Sequence, residues 1–210
     1  MYKVLIVEDD PMARKLFEIY LSDSEKYTVD KSIESAAMAE LYCLKNPIDL
    51  ILMDVCTAMD ANGLDAAAKI KKSFPKIKII IVTSQPECTF IDRARAAGVE
   101  SFWYKSASSE EIIEIMDRTM AGESVYPDTT PSLRLGEALN VDFTEKELLV
   151  LREVVDGEAD ADIAEKLGMS LRTVKAHSQN MRDKTGFRNR TELAVRVRES
   201  GLVINDHKTE

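Results

Sequence analysis

The segment that decides the fold is KVLIVEDD, residues 3–10. It contains the apolar run VLIV, which has the length of one buried strand, followed directly by the acidic residues Glu8, Asp9 and Asp10. A short continuous apolar run is typical of a strand covered on both faces of a parallel sheet. Ligands bind outside the carboxyl ends of such strands, so the three acids stand where a site would form.

Four further segments continue this pattern as far as residue 104. They are YTVDKS (27–32), DLILMD (49–54), KIIIVT (78–83) and SFWY (101–104). Helical periodicity separates the strands, with Pro11 suited to open a helix and Gly98 suited to end one. Strands that alternate with helices predict an α/β domain with a doubly wound, five-stranded parallel sheet over residues 1–121.

The three predicted helices that carry these signals span residues 11–22, 87–97 and 108–121. The last of them begins with Ser108, Ser109, Glu110 and Glu111, which offer a cap and acids that suit a helix N-terminus.

The chain changes character after residue 121. Glycines and prolines interrupt the periodicity over residues 122–140, which we interpret as a linker. From residue 141 to 210 the pattern is helical, and Thr144 with Glu147 fits a capping box. Gly168 is placed to end one helix and Ser170 to cap the next. This spacing predicts a small all-α domain of four helices built around a helix-turn-helix.

Charge is distributed unevenly along the chain. The 210 residues carry a net charge of −9, yet residues 166–198 hold nine Lys and Arg against two Asp and Glu. A basic block on an acidic protein indicates a polyanionic partner. The three cysteines are odd in number and far apart, which argues against a disulfide framework. No apolar run is long enough to span a bilayer, so we expect a cytoplasmic protein without a membrane partner.

Polar residues also end the later strands of the sheet. Asp54 ends the third, Thr83 ends the fourth, and Lys105 follows the fifth. Neighbouring carboxylates repel one another unless a hard cation such as Mg²⁺ lies between them. A carboxylate beside that metal can attack phosphorus and form an aspartyl-phosphate, whose oxygens a lysine and a hydroxyl can bind.

The segments VLIVEDD, LILMD, IIIVTS and SFWYK make residues 2–121 resemble the receiver domain of two-component response regulators. The resemblance implies a flavodoxin-like sheet of order 2-1-3-4-5 and Asp54 as acceptor of a phosphoryl group from a sensor histidine kinase. The residues that it assigns to Mg²⁺ are Glu8, Asp9, Asp54 and the backbone carbonyl of Cys56. Those that it assigns to the phosphoryl group and to the aromatic switch are Thr83, Lys105 and Phe102.

Three features depart from the receiver pattern. Residues 55–58 read VCTA where the family usually has Met-Pro, and Gly63 comes one residue late, which indicates an insertion after Asp54. Ser106 stands where many receivers have proline. These changes leave an alternative open, a phosphorylation-independent receiver that serves only as a binding or dimerisation module.

The basic block lies mainly on the helix that begins at Leu171. Val174 and Met181 are seven residues apart on the side suited to packing. The opposite side presents side chains that can reach DNA, namely Arg172, Lys175, Ala176 and Gln179. Lysine and glutamine can donate hydrogen bonds in the major groove, and alanine can contact a thymine methyl group.

The string FTEKELLVLREVVDGEADADIAEKLGMSLRTVKAHSQNMRDKTGFRNRTELA (143–194) makes residues 141–203 resemble the LuxR-type helix-turn-helix of the NarL/FixJ subfamily. The resemblance implies that Lys175, Ala176 and Gln179 face bases. It places five residues near phosphates: Arg172, Thr173, His177, Lys184 and Arg188.

The two resemblances together imply a transcriptional regulator controlled by phosphorylation, with double-stranded DNA as partner and a homodimer as the phosphorylated or DNA-bound form. We expect the helix over 191–200 to pair across the dimer axis through Leu193, Ala194 and Val197. The chain is then not an enzyme. A rival enzyme hypothesis, an aspartyl-phosphate phosphohydrolase, needs an Asp-x-Asp motif on one strand end, whereas Glu8 and Asp9 are adjacent and Asp54 lies on another strand.

Overall fold

The computed structural model describes residues 1–59, 61–105 and 111–203. The described chain divides into two compact units. The first comprises Met1–Ser84 and Phe90–Asp128, and the second comprises Gln85–Thr89 and the chain from Thr129 onward. The first unit therefore continues past residue 121, the end of the predicted receiver.

The first unit contains a five-stranded parallel sheet. Its strands are β1 (Tyr2–Val7), β2 (Tyr27–Ile33), β3 (Leu50–Asp54), β6 (Lys78–Thr83) and β7 (Ser101–Tyr104). Their order is β2-β1-β3-β6-β7, so the predicted 2-1-3-4-5 arrangement is confirmed. The central strand β3 is buried along its whole length, as its run of apolar residues predicted.

Among the described residues, five α-helices pack around this sheet. They are α1 (Pro11–Ser22), α2 (Ala39–Lys45), α3 (Gly63–Ser73), α4 (Phe90–Ala96) and α5 (Ile112–Met120). One face of the sheet packs against α1 and α5 in an apolar cluster that includes Val4, Leu52, Phe17 and Ile115. Pro11 begins α1 as predicted, and Gly98 adopts a φ of +76° just after α4. Ser108, Ser109 and Glu110, three of the predicted cap residues, lie outside the described residues.

A two-stranded antiparallel hairpin follows Asp54 where the sequence indicated an insertion. It pairs β4 (Cys56–Thr57) with β5 (Ala61–Asn62). Met59, near its tip, has a φ of +65°, and Asn62 at its end caps α3. The hairpin joins β3 to α3 directly.

We interpreted residues 122–140 as a linker because the helical periodicity stops there, but parts of this segment are packed and hydrogen-bonded. Val125 is buried in the core of the first unit, and its carbonyl accepts a hydrogen bond from the backbone N–H of Phe102 at 2.8 Å. Further along, β8 (Arg134–Leu135) and β9 (Ala138–Leu139) form a second hairpin, which belongs to the second unit. Pairs this short have no periodicity that a sequence could show.

The second unit contains the four predicted helices, α6 (Glu145–Asp156), α7 (Asp160–Lys166), α8 (Leu171–Thr185) and α9 (Arg190–Ser200). The capping box of Thr144 and Glu147 opens α6. Ser170 caps α8 by accepting the N–H of Thr173, and Gly168 before it has a φ of +64°. In the described ranges we find no helix that is both long and apolar enough to cross a membrane.

Candidate phosphoacceptor and DNA-binding sites

The candidate phosphoacceptor site forms at the carboxyl end of the sheet. Glu8, Asp9 and Asp54 each place a carboxylate oxygen within 4.8 Å of the others. Glu8 and Asp54 are buried, and Asp9 is exposed. This set of oxygen donors suits a hard divalent cation that keeps part of its water shell. The three residues therefore fit the metal that the sequence predicted.

Lys105 connects the two buried carboxylates of the site. Its Nζ lies 2.5 Å from Oε2 of Glu8 and 2.9 Å from Oδ2 of Asp54. The other oxygen of Asp54 accepts the N–H of Val55 at 2.6 Å. Both oxygens of the predicted acceptor are thus oriented, and Lys105 stands where a group attached to Asp54 would meet a cation.

Burial dominates the electrostatics of Asp54. It raises the pKa of Asp54, and the nearby charge of Glu8 adds to this effect, while the ammonium of Lys105 opposes it. Desolvation lowers the pKa of Lys105, but the attraction of Asp54 and Glu8 outweighs it, so the pKa of Lys105 is raised. The lysine therefore stays protonated and supplies the positive charge that favours an ionised Asp54.

Asp10 has a different task from the two acids before it. Its Oδ1 accepts the backbone N–H of Met12 at 2.7 Å and that of Ala13 at 3.3 Å. It is the N-cap of α1 and orients the helix that leaves the site. The capping role explains why this third acid lies outside the carboxylate cluster.

The other predicted receiver residues lie at the ends of neighbouring strands. Thr83 is 1% exposed at the end of β6, and its partner across the ladder is Tyr104. Phe102 is buried in β7, with its ring centroid 4.9 Å from that of Tyr104 and 6.4 Å from that of Tyr126. The sequence did not single out Tyr126, because one aromatic residue after α5 carries no periodic signal.

The candidate DNA-binding surface lies on α8 in the second unit. Val174 and Met181 are fully buried in its core, as predicted. Residues that share the opposite, exposed side are Arg172, Thr173, Lys175, Ala176 and Gln179, and Arg188 is exposed after the helix. His177 is half-buried. The side chain of Gln179 bonds Asp183 and Arg182, so base contact would require it to exchange these partners.

Lys184 is engaged within the second unit. Its ammonium lies 2.7 Å from Oε2 of Glu147 and 2.8 Å from the carbonyl oxygen of Asp142. It also lies 5.8 Å from the ring centroid of Phe143. These contacts tie the end of α8 to the start of α6, a role that the sequence could not show because the partners are more than 35 positions away.

The predicted pairing face on α9 is wrong. Leu193 and Val197 are both 0% exposed within the core of the second unit, and Ala194 packs against that core. The apolar stripe of α9 faces the other helices of its own unit, and only Val195 among its large apolar residues is exposed. The helical period predicted a stripe correctly but could not tell a core-facing stripe from an interface.

Comparison with known protein families gives two matches along the chain. The model described as response regulator receiver domain matches residues 4–117, and the model described as bacterial regulatory proteins, luxR family, matches residues 141–197. The chain belongs to the response regulators with a LuxR-type DNA-binding domain. This confirms the family expected from the sequence, and such regulators act in transcription as the output of two-component systems.

Individual relatives match almost the whole chain. The response regulator protein VraR of Staphylococcus aureus strain Mu3 is 31% identical over 208 residues, covering 96% of this chain and 98% of VraR. RcsB of Salmonella enterica serovar Typhimurium, solved on the promoter P1flhDC with phosphomimetic BeF3−, matches with a TM-score of 0.60 and 20% identity, covering 96% and 99% of the two chains. A structure described as two RcsB dimers bound to two parallel DNAs matches with a TM-score of 0.59 and 19% identity, covering 96% and 99%. The matched families are regulators that bind DNA, not enzyme families.

Proposed function

We propose that Asp54 accepts a phosphoryl group from a sensor histidine kinase and that this modification controls DNA binding by the second unit. One observation carries the proposal. At the carboxyl end of the sheet, the ammonium of Lys105 bonds the carboxylates of both Asp54 and Glu8, with Asp9 within 4.8 Å. This arrangement combines a nucleophile, a cation for phosphoryl oxygens and a set of donors for a metal.

In the proposed transfer, a carboxylate oxygen of Asp54 attacks the phosphorus of a phosphohistidine. A phosphorus–oxygen bond forms, the phosphorus–nitrogen bond breaks, and the electron pair returns to the imidazole ring. The N–H of Val55 orients the carboxylate, while Lys105 and the hydroxyl of Thr83 bind phosphoryl oxygens. Mg²⁺, held by Glu8, Asp9, Asp54 and the carbonyl of Cys56, would neutralise charge on the phosphoryl group.

Phe102 is the residue that we propose to respond to the modification. It is 1% exposed and lies two residues before Tyr104, the ladder partner of Thr83. A movement of Thr83 toward a phosphoryl oxygen would pass to the aromatic cluster of Phe102, Tyr104 and Tyr126. Packed cores rearrange between discrete states rather than deform gradually, which suits a switch.

For DNA we propose that α8 enters the major groove. Lys175, Ala176 and Gln179 would face base edges, and Arg172, Thr173, His177 and Arg188 would lie near phosphates. The exposure of Lys175 and Arg172 on the side opposite Val174 supports this orientation. Lys184 remains a predicted phosphate contact, and its bond to Glu147 leaves it 33% exposed in the unbound chain.

We further propose that the phosphorylated or DNA-bound form is a homodimer and acts in the cytoplasm. A helix-turn-helix of this size reads few base pairs, and two copies supply the specificity that one lacks. The RcsB structures support the arrangement by analogy, because one of them is described as dimers bound to DNA. The pairing surface is not the apolar stripe of α9, whose Leu193 and Val197 are buried.

The experiment that tests the proposal loads the full chain with a small phosphoryl donor and Mg²⁺ and follows intact mass. A persistent gain of one phosphoryl group, removed by Asp54→Asn, is expected. Turnover of donor without an accumulating phosphoprotein would point to a phosphohydrolase. No incorporation and no turnover would favour the phosphorylation-independent receiver and contradict the proposal.

A further inference from the structure

The hairpin inserted after Asp54 is held by a side chain that the receiver pattern does not assign. Thr57 in β4 is 6% exposed. Its Oγ1 accepts the backbone N–H of Ala36 at 2.9 Å and donates to the carbonyl oxygen of Ala61 at 2.6 Å. One hydroxyl therefore joins both strands of the hairpin to the turn that follows β2.

A second set of contacts runs from the hairpin through the same turn to the acidic segment after β1, residues 8–10. The backbone N–H of Ala58 donates to the carbonyl oxygen of Glu34 at 2.9 Å. The carboxylate of Glu34 lies 3.2 Å from Nη2 of Arg14. Nη1 of Arg14 donates to the carbonyl oxygen of Glu8 at 2.9 Å. Two hydrogen bonds and one ion pair thus connect the hairpin with the backbone of Glu8, one of the three clustered acids.

The end of the hairpin also packs closely against β3, which carries Asp54. A Cβ atom at Gly63 would lie 1.8 Å from the backbone oxygen of Asp54, so the chain after β5 runs directly against the backbone of that residue. The N–H of Gly63 donates to the carbonyl oxygen of Val55 at 2.8 Å. Cys56, whose carbonyl would ligate Mg²⁺, lies between Val55 and Thr57 in β4 and pairs with Asn62 across the hairpin.

We propose that Thr57 is a positioning residue for the metal site. Its hydroxyl fixes the hairpin so that the Cys56 carbonyl is held at a set distance from the carboxylates of Glu8, Asp9 and Asp54. Thr57 touches neither the metal nor the phosphoryl group and acts through the hairpin. The inference rests on the proposed phosphoacceptor function and adds a residue to it. Partners that hold metal ligands in place typically matter about 10–100-fold for affinity, and a single hydroxyl belongs at the lower end.

The test measures Mg²⁺ binding to the full-length protein by equilibrium dialysis, alongside thermal unfolding. Thr57→Val removes the hydroxyl and keeps the shape, and Thr57→Ser keeps the hydroxyl. Thr119→Val is the matched control, because its Oγ1 also bonds a carbonyl, that of Ile115 at 2.6 Å, but within α5. We expect Thr57→Val to weaken Mg²⁺ binding about tenfold, Thr57→Ser to bind nearly as the wild type, and Thr119→Val to lose stability only.

The outcomes separate this inference from the function on which it rests. Wild-type protein that neither binds Mg²⁺ nor takes up a phosphoryl group would overturn the proposed function itself. Wild-type binding with an unchanged Mg²⁺ affinity in Thr57→Val would overturn only the role of Thr57. If Thr57→Val does not fold, Arg14→Met provides the test, because it removes the hydrogen bond to the Glu8 carbonyl at the other end of this series of contacts. Weaker Mg²⁺ binding in Arg14→Met would support the inference, and unchanged Mg²⁺ binding would overturn it.

Discussion

Asp10 and Asp54 have different surroundings, and we propose different tasks for them. Asp10 accepts two backbone N–H groups and caps α1, whereas Asp54 is buried beside the ammonium of Lys105. Asparagine caps a helix as well as aspartate does, but its amide cannot act as the nucleophile. We therefore expect Asp54→Asn to abolish phosphoryl incorporation and Asp10→Asn to retain it, both read by intact mass. Incorporation that is undiminished in Asp54→Asn would refute the assignment of the acceptor.

Lys175 and Arg188 should contribute to DNA binding in different ways. Both are exposed, but Lys175 lies in α8 and Arg188 in the turn after it. Lys175→Ala is expected to cost about 1–3 kcal/mol on the preferred site and to relax the preference at one base position. Arg188→Ala is expected to weaken binding equally on all sequences and to lower the salt slope by roughly one.

Binding isotherms on specific and scrambled duplexes at several salt concentrations distinguish the two effects. If Lys175→Ala lowered affinity uniformly and left base preference unchanged, the placement of α8 in the groove would be wrong.

Positions that follow from chain topology could be predicted from the sequence, whereas the roles of the site residues stay predictions. Asp54, Thr83 and Lys105 were expected at one edge of the sheet because each ends or follows an apolar run, and parallel strands bring their carboxyl ends to one edge. The contacts of Thr57 and Lys184 could not be predicted, because each bonds to backbone atoms that only the folded chain brings close.

The junction between the hairpin and α3 should tolerate no side chain at Gly63. Its N–H bonds Val55, and a Cβ would lie 1.8 Å from the backbone oxygen of Asp54. Gly63→Ala is expected to lower the free energy of unfolding by about 1–3 kcal/mol and also to slow phosphorylation, measured by urea unfolding and intact mass. Gly98→Ala is the control, since Gly98 has a φ of +76° and no neighbour within 4 Å. It should lose about 1–2 kcal/mol through strain and keep normal phosphorylation.

If Gly63→Ala were phosphorylated at the wild-type rate, the hairpin would not influence the acceptor, and the structure of this loop would need revision.

The start of α6 depends on a buried carboxylate. Burial raises the pKa of Glu147, but hydrogen bonds from Lys184 and Thr144 outweigh it, so the pKa is lowered below its ordinary value of 4.5. A depressed pKa contributes stability that is present above the unfolded value and is lost as the pH falls through the folded value. We expect Glu147→Gln to unfold at lower temperature near neutral pH, with a smaller difference from the wild type near pH 3.

Thermal unfolding of both proteins across this range measures the effect, with the exposed Glu145→Gln as control. If Glu147→Gln differed from the wild type in unfolding temperature as much near pH 3 as near neutral pH, Glu147 would stabilise the helix through packing alone.

Like the residues, the helices and strands divide into those that the sequence could predict and those that it could not. The five sheet strands were predicted to within one residue at either end, because short apolar runs such as VLIV, LILM and IIIV indicate buried strands. The hairpins β4–β5 and β8–β9 are two residues a strand, too short for any alternation to show. On α9 the apolar stripe was correctly placed but wrongly interpreted, since periodicity does not say which partner covers a stripe.

The charges of the two units suit different partners. The acidic first unit has a carboxylate cluster that could hold a metal, and residues 166–198 carry the positive charge that suits DNA. Phosphorylation should then promote a dimer that spans inverted half-sites about one helical turn apart. Sedimentation velocity on a duplex that carries two such sites is expected to show two protein chains for each DNA. Only one phosphorylated protein chain on each DNA would refute this arrangement.

Control of DNA binding by the modification of Asp54 is the central claim. The direct measurement compares the affinity of wild-type protein for a duplex selected from random sequence, with and without prior phosphorylation, and repeats both with Asp54→Asn. Coupling between two sites typically amounts to about 1–3 kcal/mol, so we predict an affinity change of about tenfold in the wild type and none in Asp54→Asn. Equal affinities of the phosphorylated and unphosphorylated wild-type protein would contradict the account.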